Sequence, residues 1–325
     1  MKKCTDKETA WQRANRWVAQ HPRMSQTILA SVIVTLVALT TLAMAARQTQ
    51  LAAHHARYAQ MQGDVREVEV QLRGIASQLE KDARFLTSLP PVQGIVNARA
   101  GIEGDDEQTW RDRLEMIFAG MLRSNPDYLA LAFEAKRGDA AEDIVRVERN
   151  PSDHTLIRTL PESRLGSVEN DKLMATVAEG EPGDVIMTLE PRTRHAKESS
   201  SHQRLSVATP VFGDVSGECF GMVVIESDLS NQILEAMQGL GYVECEMYVA
   251  DGNGQLWISE TPETGMRIAP PGQTIPNLPT TVAARLATEG EAFELHRDGE
   301  YVAERFYVES DGRGVLIFAR LPDDD

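Results

Sequence analysis

Hydrophobic and polar positions divide the chain into three regimes. From Ile28 to Met44 the sequence ILASVIVTLVALTTLAM carries no charge, and with Ala45 and Ala46 it reaches about the 20 residues that cross a bilayer core. Beyond Arg47 the residues Leu51, Tyr58, Met61, Val65, Val68, Leu72, Ile75, Leu79 and Leu86 fall mostly three and four apart. That spacing predicts a long helix over residues 47–89 with one apolar seam. The seam suits a dimerising stalk, and it suits equally a helix that packs on its own domain. Pro90-Pro91 ends the helix, because proline lacks the amide donor and disfavours helix in the residue before it. A second helix is predicted from Glu107 to Arg123, with Trp110, Leu114, Ile117, Phe118, Met121 and Leu122 on one side and Asn125-Pro126 stopping it.

The period then drops to two. Tyr128–Glu134, Asp143–Arg149, Val185–Glu190, Gln203–Phe212 and Glu218–Ser227 read as strands, with a helix near Glu169–Glu179 between the second and third. After a linker helix near Leu229–Leu240 the same order returns. Its strands are Glu244–Ala250, Gln255–Ser259, Glu291–His296, Glu300–Glu309 and Gly314–Leu321, with a helix at Thr281–Thr288. Tight turns are expected at Asp251-Gly252-Asn253-Gly254, Asp298-Gly299 and Asp311-Gly312. The predicted fold class is α+β: a transmembrane helix and a long stalk helix, then two PAS-like domains, each a five-stranded antiparallel sheet flanked by helices. The expected divisions are a cytoplasmic segment 1–26, the span 27–46, the stalk 47–89, a membrane-distal domain 90–240 and a membrane-proximal domain 241–325.

Charge sets the orientation. Residues 1–23 hold six basic side chains against two acidic ones, while the whole chain has a formal charge of -16. The positive-inside rule then puts the N-terminus in the cytoplasm, the span in the inner membrane and the acidic body in the periplasm. Ala43-Met44-Ala45 has the form of a signal-peptidase site, but the apolar run exceeds the usual h-region of about 7–15 residues, which favours a retained span. An acidic body ending in Asp323, Asp324 and Asp325, with no basic stripe, does not suit nucleic acid. Cys219 and Cys245 fall in different predicted domains, as two free thiols or as a bridged pair.

No catalytic or cofactor set is visible: there is no HExxH, GxSxG or GxxxxGK[ST] motif, and no Cys/His cluster for a metal. Asp251-x-Asn253-x-Gln255 begins like a calcium loop, but Pro262 stands where the bidentate glutamate belongs, so a hairpin is expected. His54-His55 is expected on a solvated helix face, and Arg192–His202 in a loop over the distal pocket. Strand alternation suggests a binding face. Tyr128, Ala130 and Ala132 point away from Leu129, Leu131 and Phe133, and Arg146 and Ser206 join the first set from neighbouring strands. A face carrying Tyr128, Arg146 and Ser206 among alanines could recognise a carboxylate or other small anion. Arg146 could instead form a structural ion pair with Glu134 or Glu148.

Asp82-x-x-Phe85-Leu86 followed by Pro90-Pro91-Val92-Gln93-Gly94-Ile95 resembles the opening of a double Cache sensor domain. Trp110-Arg111-x-Arg113-Leu114-x-x-Ile117-Phe118, Pro126-x-Tyr128-Leu129, Ile144-Val145-Arg146-Val147 and Val207-Ala208-Thr209-Pro210-Val211-Phe212 resemble its later landmarks, over about Arg47 to Leu321. The resemblance implies the extracytoplasmic input of a bacterial sensor histidine kinase, diguanylate cyclase or chemoreceptor. It implies a distal domain that holds a small-molecule ligand, an anionic metabolite among the candidates, and a proximal domain that relays. Members often carry an arginine a few residues after the tyrosine of the first strand and another before Ala-Thr-Pro, where this chain has Ala132 and Ser206. They also continue into a second membrane helix and an output domain, whereas this sequence stops at Asp325. The expected function is therefore ligand sensing without catalysis, with a homodimer through the stalk and a cytoplasmic or membrane signalling partner. The alternative is a membrane-anchored accessory protein whose sensor-like domains dock to a partner receptor.

Overall fold

The computed structural model describes residues 22–102, 106–151, 153–168, 171–189, 203–213, 217–240, 245–270, 272–286, 293–297, 300–307 and 314–321. The chain forms two compact units, Met1–Arg57 and Tyr58–Asp325.

Helix α1 (Pro22–Thr87) begins in the first unit. It contains an 18-residue stretch of mean hydropathy 1.8, none of it buried, and is long and apolar enough to cross a membrane. Val34, Leu42 and Met44 are exposed by 67%, 70% and 68%, as a lipid-facing surface would require. Two hydroxyls of the run are satisfied locally: Thr35 Oγ1 donates to the Ser31 carbonyl at 2.8 Å and Thr41 Oγ1 to that of Val37 at 3.0 Å. No threonine of this pair therefore brings an unmet donor into an apolar medium. His54 and His55 lie exposed on this helix, as expected.

In the second unit the seam of α1 is buried. Met61, Val65, Val68, Leu72, Leu79 and Leu86 are each at most 3% exposed and belong to one apolar core with the inner faces of both sheets. The three-and-four spacing is thus used by the chain itself from Tyr58 onward, which removes this stretch of the seam as a surface for a second copy. Pro90-Pro91 not only follows the end of α1 but opens α2 (Pro90–Arg99), where proline's fixed φ suits the first helical positions. Asp106 then caps α3 (Glu107–Ser124), its carboxylate accepting from the amides of Gln108 and Thr109. A β-carbon on Gly94 would stand 2.4 Å from the Trp110 indole, so glycine is what lets α2 sit against α3.

The first sheet runs β1 (Tyr128–Arg137), β2 (Ala140–Asn150), β3 (Asp153–Thr159), β4 (Ser167–Val168), α4 (Lys172–Glu179), β5 (Ile186–Thr188), β6 (Arg204–Phe212) and β7 (Cys219–Asp228). Its spatial order is β3-β2-β1-β7-β6-β5, with β4 on β2. After α5 (Leu229–Gln238) the second sheet runs β8 (Glu246–Asp251), β9 (Leu256–Thr261), β10 (Gly265–Ile268), α6 (Thr280–Leu286), β11 (Phe293–Arg297), β12 (Tyr301–Tyr307) and β13 (Gly314–Arg320), in the order β10-β9-β8-β13-β12-β11. All the pairings are antiparallel. The expected five-strand pattern is present twice, in the same spatial order, and each sheet carries further strands: β3 and β4 in the first, β10 in the second. The added strand β3 is mostly exposed and β10 has only four residues, so neither left an apolar alternation to read.

The turn at Asp251 is the expected hairpin. Asp251 Oδ1 accepts from the amides of Asn253 and Gln255, both at 2.8 Å, and Gly254 takes φ +80°. The turns expected at Asp298-Gly299 and Asp311-Gly312 lie outside the described residues, as does the loop Arg192–His202. Cys219 and Cys245 are free thiols. Burial raises both, that of Cys245 to about 12.

Candidate functional site

The two faces of the first sheet differ in chemistry. Leu131, Phe133, Val145, Val147, Val207, Val223 and Ile225 enter the core shared with α1 and α3. On the opposite face the ladder registers place Arg158, Glu148, Ala130, Glu226, Ser206 and Thr188 side by side across six strands. The adjacent row is Arg146, Ala132, Val224, Ala208 and Ile186. At that row α4 covers the face: Leu173, Met174 and Val177 pack on Ala132, Ala208, Met222 and Val224.

Arg146 is 2% exposed and crosses the central strand β1. Its Nη2 donates to Glu226 Oε1 at 2.9 Å and its Nε to Glu148 Oε2 at 3.1 Å. This reach from β2 to β7 needs small side chains beneath it, which Ala130 and Ala132 supply. Each carboxylate holds a second guanidinium at the rim. Arg158 donates to Glu148 Oε1 at 3.0 and 2.6 Å, and Arg204 Nη1 lies 3.8 Å from Glu226 Oε2. The result is an alternating line, Arg158–Glu148–Arg146–Glu226–Arg204, with one net positive charge. Burial by itself would lower the Arg146 pKa, but Glu226, Asp143, Glu134 and Glu148 outweigh it and hold the guanidinium charged. Removal of Arg146 would leave Glu148 and Glu226 buried without the cation they share.

At the uncovered end of this face lies an open cleft lined by Leu129, Ala130, Arg146, Glu148, Arg149, Pro151, His154, Arg204 and Glu226. Arg149 serves structure: its Nε donates to the Tyr128 carbonyl at 2.8 Å, and its Nη atoms donate to the carbonyls of His154 at 2.8 Å, Asn125 at 3.1 Å and Leu122. It thereby ties the C-terminal end of α3 to the starts of β1 and β3.

Of the four residues proposed from sequence, Arg146 alone lines this cleft. Ala132 lies under α4, and Ser206 is buried within the charged row, 4% exposed. Tyr128 is a correction. The register shifts between Tyr128 and Ala130, and this bulge turns Leu129 to the cleft and Tyr128 into the core on the helix side. Its hydroxyl donates to Asp82 Oδ2 on α1. Burial, then Asp82, raise that hydroxyl well above its ordinary pKa, so it remains a donor. Simple alternation has no means of anticipating a bulge. The structural ion pair of Arg146 with Glu148 is formed. Sequence reasoning missed Arg204 and Glu226. Arg204 was readable, because it stands two residues before Ser206 and so shares its face. Glu226 was hidden as one acid at the end of an apolar strand.

The corresponding covered face of the second sheet is filled. Tyr248, Ala250, Leu256, Tyr301, Ala303, Leu316 and Phe318 pack with Val282 and Leu286 of α6. Phe318 has ring neighbours Tyr301 at 5.8 Å and Tyr248 at 6.1 Å.

No protein-family model matches the sequence, and no curated protein matches it. Solved structures do. A domain of a sensory box/GGDEF family protein from Vibrio parahaemolyticus is 14% identical, with a TM-score of 0.57, over 82% of this chain and 98% of that one. The extracellular domain of a histidine kinase, vpHK1S-Z8, is 14% identical with a TM-score of 0.57, over 84% of this chain and 94% of its own. The ligand-binding domain of the Campylobacter jejuni chemoreceptor Tlp3, solved with 4-methylisoleucine, is 12% identical with a TM-score of 0.50, over 82% and 91%. At these identities the likeness concerns the fold: the chain shares the tandem-sheet fold of these sensory, extracellular and ligand-binding domains.

Proposed function

We propose that this chain is the ligand-sensing region of a membrane-anchored signal-transduction receptor of the two-component or cyclase kind. In this reading residues 1–26 are cytoplasmic, the apolar part of α1 spans the inner membrane, and the body is periplasmic. Residues 90–240 form the ligand-holding domain and residues 241–325 the relay. The ligand is a small anion or zwitterion in the cleft of the first sheet. What carries the reading is where the guanidinium groups stand. The resemblance leads one to expect arginines at positions occupied by Ala132 and Ser206. Arg146 is the direct cross-strand partner of Ala132, and Arg204 lies two residues from Ser206 on the same face. The guanidinium groups expected of the site are therefore supplied from adjacent positions, beside an open cleft.

One observation favours a second reading, an accessory protein that docks to a partner receptor: Glu148 and Glu226 both pair with Arg146, the buried cation of the face. A homodimer would use residues before Tyr58 or another face of α1, since the seam beyond is covered. Thermal unfolding of the full chain in detergent micelles, against carboxylic acids, amino acids and amines, separates the two. A ligand at 100-fold excess over its Kd stabilises the folded state by about 2.7 kcal/mol. The sensing reading expects such a compound, with the gain lost in Arg204→Gln. A library without a hit supports docking.

A further inference from the structure

The last turns of α1 are tied to two elements that shape the cleft face, the start of β1 and the turn after α4. Tyr128, 4% exposed, donates from its hydroxyl to Asp82 Oδ2, while Asp82 Oδ1 accepts from Gln78 on the same helix at 2.9 Å. Two residues further on, Arg84 Nε donates to the Gly183 carbonyl at 2.9 Å. Gly183 takes φ +89° between α4, which covers the face, and β5. Its turn is closed by the Asp184 carboxylate, which accepts from the Glu181 amide at 2.7 Å.

The β1 end of this connection belongs to the cleft itself. Tyr128 stands opposite Ser227 and Ala130 opposite Glu226, so Leu129 is the extra residue of the bulge. Neither β7 nor β2 gives it a partner in the ladder. The Leu129 side chain lines the cleft, whereas that of Tyr128, its neighbour in the chain, reaches α1. Arg149, another lining residue, donates from Nε to the Tyr128 carbonyl at 2.8 Å. The peptide between Tyr128 and Leu129 is thus held from the cleft on one side and carries the α1 contact on the other. A paired strand resists local rotation, and an unpaired bulge residue is where it yields.

We propose that the Leu129 bulge and the Tyr128–Asp82 hydrogen bond form a coupling pin: contact in the cleft moves Leu129, the bulge turns Tyr128, and Tyr128 shifts the end of α1. The inference rests on the cleft being the ligand site and adds the route by which occupancy leaves the sheet. A hydroxyl donating to a carboxylate gives a charge-assisted bond, and burial of Tyr128 keeps water from competing for it. The receiver is an unbroken helix, Pro22–Thr87, and rigid elements joined by hydrogen bonds carry displacement that a loop would absorb. An occupant drives the change only as far as it favours one position of Leu129 over another. Tyr128 is in this account a positioning residue, acting on α1 and not on the contents of the cleft.

Hydrogen exchange of the full chain in detergent micelles tests the pin with no ligand added, a change at Leu129 standing in for an occupant. Leu129→Ala is expected to speed exchange of the α1 amides in residues 78–87 by about 5-fold or more. In a Tyr128→Phe background the ring keeps its packing but the donor is gone, and Leu129→Ala should add nothing to the rates of Tyr128→Phe alone. Asp82→Ala should remove the response in the same way. Asp82→Asn keeps an acceptor for the hydroxyl and should restore it at least in part. Equal acceleration by Leu129→Ala with and without the Tyr128 hydroxyl, no acceleration in either background, or identical behaviour of Asp82→Asn and Asp82→Ala would each overturn the proposal. Failure of the ligand screen bears on the sensing reading alone, because none of these rates is measured with a ligand present.

Discussion

The two sheets repeat one strand order, yet their covered faces differ in kind. On the first, five charged side chains alternate in sign beside a cleft. On the second, Tyr248, Tyr301 and Phe318 fill the equivalent space against α6. An aromatic face is stabilised by contacts that a polar solute would only displace. A charged face can exchange one partner for another of the same sign at small cost, because the ligand replaces interactions of the same type. The strand order is repeated, and the chemistry of the covered face is not.

That contrast can be broken at several places. The largest effect is expected from Gly221→Ala, where the new β-carbon would lie 1.9 Å from the Glu134 carbonyl oxygen and force β1 and β7 apart. Chemical denaturation should show a loss of about 4 kcal/mol or more. Arg146→Ala should cost about 3–5 kcal/mol, because Glu226 and Glu148 are left buried without their shared cation. Adding Glu226→Gln should recover part of that loss, which a purely steric role for Arg146 would not allow. Phe318→Ala should cost about 3 kcal/mol or more by opening the second core, and it should leave ligand-induced stabilisation unchanged. Arg158→Ala should be the mildest, within about 1 kcal/mol, since its side chain is 40% exposed and solvent screens the pair.

Much of this architecture was legible in the sequence because period and punctuation report backbone geometry directly. The uncharged run, the Pro90-Pro91 break, the repeated strand order and the Asp251 turn all follow from local chemistry. The functional details were less accessible. A seam at helical spacing reads the same whether it is covered by a second copy or by the chain's own sheets, and Tyr58–Leu86 proved to be the latter. Alternation assigned Tyr128 and Leu129 to the wrong faces because a single bulge reverses them. Arg146 was recognisable as a cation on a strand of small neighbours, but its two carboxylates come from residues 2 and 80 positions away, and only the nearer one could be weighed without the fold.

The central claim is that the charged cleft of the first sheet, and not the aromatic face of the second, receives the ligand. Isothermal titration of the best-stabilising compound into the full chain tests it with two variants, Arg204→Gln and Tyr248→Phe. The account predicts a drop in affinity of about 10-fold or more for the first, as expected for a lost charge-assisted contact of at least about 1.4 kcal/mol, and none for the second. Equal affinity for Arg204→Gln and wild type, or a loss confined to Tyr248→Phe, would contradict it.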